Sequence, residues 1–218
     1  GILANKLMEK LGQNIFFVPR IYADELIQDE PNYLKELSRS LDPKIIVFYC
    51  GENIVSQTLT NYKLIKGTLK NKIIFWDNYY SNDYCPRRLF VGPHLGRQKV
   101  KNIMINPTGL INTDLLILDI VGNSSNGKTF IKEWKETLKI HGVPKQFIKL
   151  KKFFLKPDFG TNPLVKKVNI RVTDFDALEF LLWQWKGELS REWYPFLFGL
   201  KQDLLTGKNL LTSERIIK

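Results

Sequence analysis

Ile73-Ile74-Phe75-Trp76-Asp77-Asn78 opens the stretch IIFWDNYYSNDYCPRRLFVGPHLGR, residues 73–97, whose reading decides the fold. Its first four residues are apolar and β-prone. The residues after them are crowded with Asp, Asn and Tyr, a poor composition for any regular element. A short apolar run giving way to a polar cluster predicts a buried strand that delivers a loop. The strand end and loop carry an indole (Trp76), a carboxamide (Asn78), a carboxylate (Asp83) and phenols at Tyr80 and Tyr84. These groups suit a carbohydrate. An aromatic face covers the C–H side of a sugar ring, while Asp and Asn take up its hydroxyls.

On the N-terminal side, apolar residues at Ile2, Leu3, Leu7, Met8 and Leu11 predict a helix closed by Gly12. A strand at 15–18, a helix near 32–40, a strand at 44–50 and a helix near 56–69 lead to the strand at 72–76. On the C-terminal side, 97–104 has a helix-like pattern, Asp114–Val121 (DLLILDIV) is expected as the last strand, and Phe130–Ile140 as an amphipathic helix. Four strand–helix repeats with continuous apolar strands predict an α/β chain with a parallel sheet covered on both faces. Pattern alone leaves two architectures open. One is half of a (β/α)8 TIM barrel, whose polar residues gather just after each strand. The other is a doubly wound open sheet.

Beyond His141 the texture changes. Residues 149–173 are basic and broken by Pro157, Gly160 and Pro163, and helices are expected at about 175–185 and 190–205. The expected division is therefore 1–141, a half-barrel domain, and 142–218, a basic linker with a mainly helical C-terminal region. Trp183, Trp185, Trp193 and Tyr194 are expected to pack there on the barrel or on a neighbour.

With 33 Lys and Arg against 22 Asp and Glu, the net charge is +11 and the pI about 9.5. No RNA- or DNA-binding signature accompanies the lysines, so the excess reads as a solvated basic face and no nucleic-acid partner is expected. Cys50 and Cys85 form no C-x-x-C, and His94 and His141 have no ligand spacing. Neither a disulfide framework, a metal nor a cofactor is expected. No apolar run approaches the roughly 18 residues of a membrane span, so no membrane partner is expected. The compartment is not legible, with the cytoplasm favoured.

Gly122-Asn123-Ser124-Ser125-Asn126-Gly127-Lys128-Thr129 satisfies G-x-x-x-x-G-K-[ST]. After an apolar strand and before a helix, that spacing would cradle phosphates, so a nucleotide-binding reading stands as the sharpest rival. Against it, no later strand ends in a Walker-B-type acid. Asp158-Phe159-Gly160 lacks the glycine-rich loop and H-R-D that would make it a kinase element.

The pattern W-D-N, four residues, D-Y, then R-L-F-x-G-P and G-R resembles glycoside hydrolase family 84, the protein O-GlcNAcases and bacterial β-N-acetylglucosaminidases. The likeness extends over about residues 2–139. FFVPRIYADE is similar to the family's F-x-P-x-x-Y strand, and KIIVFYCGENIVSQ to its V-x-W-T-G-P-x-V-V-S segment. Here Tyr49 replaces Trp, Cys50 replaces Thr, and Glu52-Asn53 replace the Pro-basic pair. The resemblance favours the barrel and implies a substrate-binding set of Tyr22, Cys50, Trp76, Asn78, Asp83 and Asn106. Tyr22 would lie near the N-acetyl group, Asp83 would grip two distal hydroxyls, and Asn106 another.

The implied reaction is retaining hydrolysis of terminal β-linked N-acetylglucosamine, in which the substrate's own acetamido oxygen attacks the anomeric carbon. The family's adjacent catalytic aspartates follow its fourth strand. This chain has no Asp-Asp pair, so no catalytic residue is assigned and the pair is expected upstream. The expectation is a C-terminal half of the catalytic domain, inactive alone, whose partners are an N-acetylglucosamine-bearing glycoconjugate and either the N-terminal half of the barrel or a second copy of the chain. A non-catalytic carbohydrate- or partner-binding half-barrel is the alternative from another class.

Overall fold

The computed structural model describes residues 1–26, 30, 32–56, 59, 62–83, 89–97, 100–124, 130–154 and 170–207. Tyr84, Cys85, Ser125–Thr129 and the Asp158-Phe159-Gly160 tripeptide lie outside them. The chain divides into two compact units, residues 1–79 with 95–106 and residues 80–94 with 107–218.

The first unit is built on four parallel strands: β1 (Phe16–Phe17), β2 (Ile46–Tyr49), β3 (Ile73–Asp77) and β4 (Ile103–Ile105). They lie side by side in chain order, β1-β2-β3-β4. A doubly wound sheet shuffles its strands around a switch point, whereas a barrel adds each strand beside the last. The sequential order therefore decides between the two architectures. Helices α1 (Ile2–Leu11), α2 (Tyr33–Ser40) and α3 (Tyr62–Thr68) complete the unit.

Its core forms where the odd-numbered residues of the strands meet helices. Val47, Tyr49 and Ile73 cluster with Ile45, Leu34, Leu37, Leu41, Ile65, Leu69 and Ala4. Burial alternates along β2 and β3, so Phe48, Ile74 and Trp76 on the other face are only half-buried. Phe16, Phe48 and Trp76 form an aromatic row across that face, with centroids 5.7 Å apart at each step. Continuous apolar runs suggest strands buried equally on both faces; the alternation is the finding.

The fourth strand is not where the pattern puts it. Ile103–Ile105 pairs with β3 in register Phe75–Ile103, Trp76–Met104 and Asp77–Ile105, overlapping the end of the segment 97–104 expected to be helical. Asp114–Val121, expected as a strand, belongs to helix α4 (Ile111–Ser124). An apolar run of this length does not distinguish a strand from a buried helix by periodicity. Helical spacing shows in the exposure: Leu116, Ile117 and Ile120 are buried while Ile111, Leu115 and Leu118 face outward. The Asp114 carboxylate fixes the entry, accepting the N–H groups of Thr108 and Gly109 at 2.8 and 3.0 Å.

The second unit is helical: α4, α5 (Phe130–Ile140), α6 (Lys145–Lys149), α7 (Lys151–Phe154), α8 (Val172–Trp183) and α9 (Glu188–Gly207). Trp193 sits fully buried at its centre, 4.8 Å from Phe147 and 5.4 Å from Trp185. Its indole N–H donates to Thr113 Oγ1 at 2.8 Å. The neighbouring Glu192 carboxylate accepts both backbone N–H groups of Asn112 and Thr113, capping the start of α4. Of the four aromatics singled out in this region, Trp185 and Trp193 are buried and Trp183 and Tyr194 are exposed.

Candidate functional site

The C-terminal ends of β2, β3 and β4 bring together four of the six residues expected to bind substrate. Side chains alternate along a strand. Trp76 and Asn78 therefore share one face of β3, and Asp77 takes the other. Asn78 Nδ2 donates to Ile54 O at 2.8 Å and lies 3.5 Å from Cys50 Sγ. Asn78 Oδ1 accepts from Asn106 Nδ2 at 3.1 Å, and the Asn106 N–H extends the ladder to Asp77 O at 2.9 Å. A thiol, two carboxamides and an indole thus line adjacent strand ends. The buried indole N–H of Trp76 has no hydrogen-bond partner among the described residues, leaving a donor for an acceptor.

Tyr22 joins through the backbone. The bridge between Ala23 and Gly51 places it in register opposite Cys50, whose N–H donates to Tyr22 O at 2.7 Å. Gly51 has φ +95°, and a Cβ there would stand 2.7 Å from Leu59 Cδ2 and 2.8 Å from Ser56 Oγ. Only glycine fits that approach. Asp83 belongs to the second unit, where it is exposed and accepts a hydrogen bond from the Ser81 hydroxyl.

Burial pushes the Cys50 thiol up to about 12, reinforced by the Asp77 carboxylate and opposed by the Asn78 hydrogen bond. Burial, then the hydrogen bond to Asp24, raises the Tyr49 phenol as well. Asp24 is thereby engaged by a phenol, and Glu25 accepts the Ile54 N–H at 2.7 Å. Asp77 is held by Arg97 through two bonds, Nε to Oδ2 at 3.0 Å and Nη2 to Oδ1 at 2.9 Å. The acids near these strand ends therefore serve as framework. Arg97 is absent from the residues that the sequence singles out; its only signal there is the G-R that closes the W-D-N pattern.

The rival phosphate loop lacks its context. Gly122, Asn123 and Ser124 end a helix rather than following a strand, whereas a phosphate loop follows a strand; Ser125–Thr129 lie outside the described residues. Among the described residues, no group of three or more His, Cys, Asp or Glu could hold a metal ion. No described helix is long and apolar enough to cross a membrane.

An α/β chain with sequential parallel strands and a polar cluster at their C-terminal ends has the organisation of a barrel enzyme. A structure titled "Structure of CpGH84B" shares this fold, with a TM-score of 0.56 at 20% identity over 71% of this chain and 32% of that one. The sheet is accordingly a four-strand part of a (β/α)8 barrel, followed by helices. Residues 3–115 match the family described as beta-N-acetylglucosaminidase, and the chain belongs to that family. Protein O-GlcNAcase of Rattus norvegicus and that of Mus musculus are each 28% identical over 118 residues. The match covers 48% of this chain and spans 13% of the length of either relative.

Proposed function

We propose that this chain supplies the sugar-holding part of a β-N-acetylglucosaminidase site acting on terminal β-linked N-acetylglucosamine of a glycoconjugate. Tyr22, Cys50, Trp76, Asn78 and Asn106 bind the sugar, with the indole covering the ring's apolar side. Hydrolysis is retaining and substrate-assisted. The acetamido oxygen displaces the aglycone, and an aspartate pair outside this chain orients the acetamido N–H and handles the proton. The N-terminal half of the barrel, or a second copy of this chain, completes the walls.

The observation that carries this reading is the Asn106–Asn78–Cys50 chain of contacts beside the unsatisfied Trp76 indole, at the strand ends where barrel enzymes keep their sites. Calorimetry with the 218-residue chain should find saturable binding of N-acetylglucosamine that is lost in Trp76→Ala. The same preparation should leave an aryl β-N-acetylglucosaminide unhydrolysed. Binding unaffected by Trp76→Ala, or robust turnover, would contradict the assignment.

A further inference from the structure

We infer that Arg97, outside the proposed set of sugar ligands, is the positioning residue for the Asn78 carboxamide, acting through the turn that leaves β2. Its functional meaning rests on the proposed role of Asn78; its geometry does not.

A carboxamide has one acceptor end and one donor end, and which way it points is set by its partners. Here the donor end of Asn78 is fixed by Ile54 O at 2.8 Å, and the acceptor end thereby faces Asn106. The orientation is then only as good as the placement of Ile54. That residue lies in an irregular turn, 53–56, which no sheet ladder holds. Within it Asn53 N–H donates to Ser56 Oγ at 3.0 Å, and Ser56 Oγ lies 3.1 Å from Cys50 O. Arg97 secures the turn from the other side, Nη2 donating to Ser56 O. The same guanidinium grips Asp77 at two points and Leu95 O at 2.7 Å.

One planar fork therefore ties the exit of β2, the end of β3 and the chain entering β4. Asp77 is the residue before Asn78, so the fork fixes both the backbone carrying the carboxamide and the carbonyl orienting it. The side chains of Arg97 and Asp77 are 2% and 1% exposed. The guanidinium also lies 4.3 Å from the Tyr79 ring centroid, which limits its freedom to slide. Lysine cannot reproduce this. Its ammonium is a point charge that pairs with Asp77 but lacks the fork that reaches Ser56 O simultaneously.

The test is side-chain amide NMR of the full 218-residue chain in wild type and Arg97→Lys. Asn71 is the internal control: it is buried at the opposite end of β3, where its Nδ2 donates to Asp42 O and Ile45 O. In Arg97→Lys the Asn78 and Asn106 amide resonances should shift and exchange with water about tenfold faster, with Asn71 unchanged. N-acetylglucosamine affinity should fall about tenfold in parallel. If Arg97→Lys does not fold, the isosteric Asp77→Asn, which keeps one acceptor for the fork, should move the same two resonances by less. Unmoved Asn78 and Asn106 resonances, or equal shifts at Asn71, would overturn the positioning role. Failure of the wild-type chain to bind the sugar, with the Asn78 shift present, would count against the proposed function and leave the positioning role standing.

Discussion

Asn106 Nδ2 donates to Asn78 Oδ1 at 3.1 Å, joining the chain just past β4 to the chain just past β3. Asn78 is 9% exposed, so water is a poor substitute for the lost donor. Asn106→Ala should destabilise the protein by about 1–3 kcal/mol, the usual range when a buried acceptor loses its partner. Asn106→Asp should cost more, because two acceptors would then face each other. Urea unfolding of the three proteins measures both, and an Asn106→Ala midpoint equal to wild type would show that the bond contributes nothing.

The Cys50 thiol, held protonated by burial and by the Asp77 charge with a pKa near 12, should be unreactive at neutral pH. Thiolate is the nucleophile, and at that pKa almost none is present. Alkylation of the native protein followed by peptide mapping of Cys50 should show labelling only once the protein is unfolded or the pH is strongly alkaline. Rapid labelling of Cys50 in the folded chain at neutral pH would contradict the buried geometry.

Glu192 gives the second unit an acid-sensitive contact. Burial works to raise its carboxyl, but the hydrogen bonds from Thr113 and Asn112 override it and hold the pKa below the usual carboxylate value. A carboxyl whose pKa is lower folded than unfolded adds stability that is complete above the unfolded value, about 4.3 for Glu. That stability is lost as pH falls through the folded value. Glu192→Gln should therefore flatten the fall in melting temperature below about pH 4.3. Identical acid limbs for the two proteins would mean the cap of α4 carries no charge-dependent stability.

The first three strands are legible because each is a short apolar run closed by a polar cluster, and Trp76-Asp77-Asn78 even gives the facing of its side chains. The fourth is misplaced for a physical reason. Ile103-Met104-Ile105 is too short to announce itself, while Leu115–Val121 is apolar enough for either element. Only its packing, with Leu116, Ile117 and Ile120 inward, makes it a helix. The site residues come from a motif, so their types are visible but their wiring is not. Nothing in the spacing of Asp77 and Arg97, 20 residues apart, says they pair, and Ile54 contributes through a backbone carbonyl that no side-chain pattern reveals. Asp83 is named from the same motif and lies in the second unit.

The most direct test of one sugar held at these strand ends is a titration of the 218-residue chain with N-acetylglucosamine, monitored by NMR at the Trp76 indole N–H and the Asn78 and Asn106 amides. The Trp76 N–H, buried without a partner among the described residues, should shift together with both amides along a single saturation curve. Resonances that stay still, or that saturate at different sugar concentrations, would contradict a shared amino-sugar pocket.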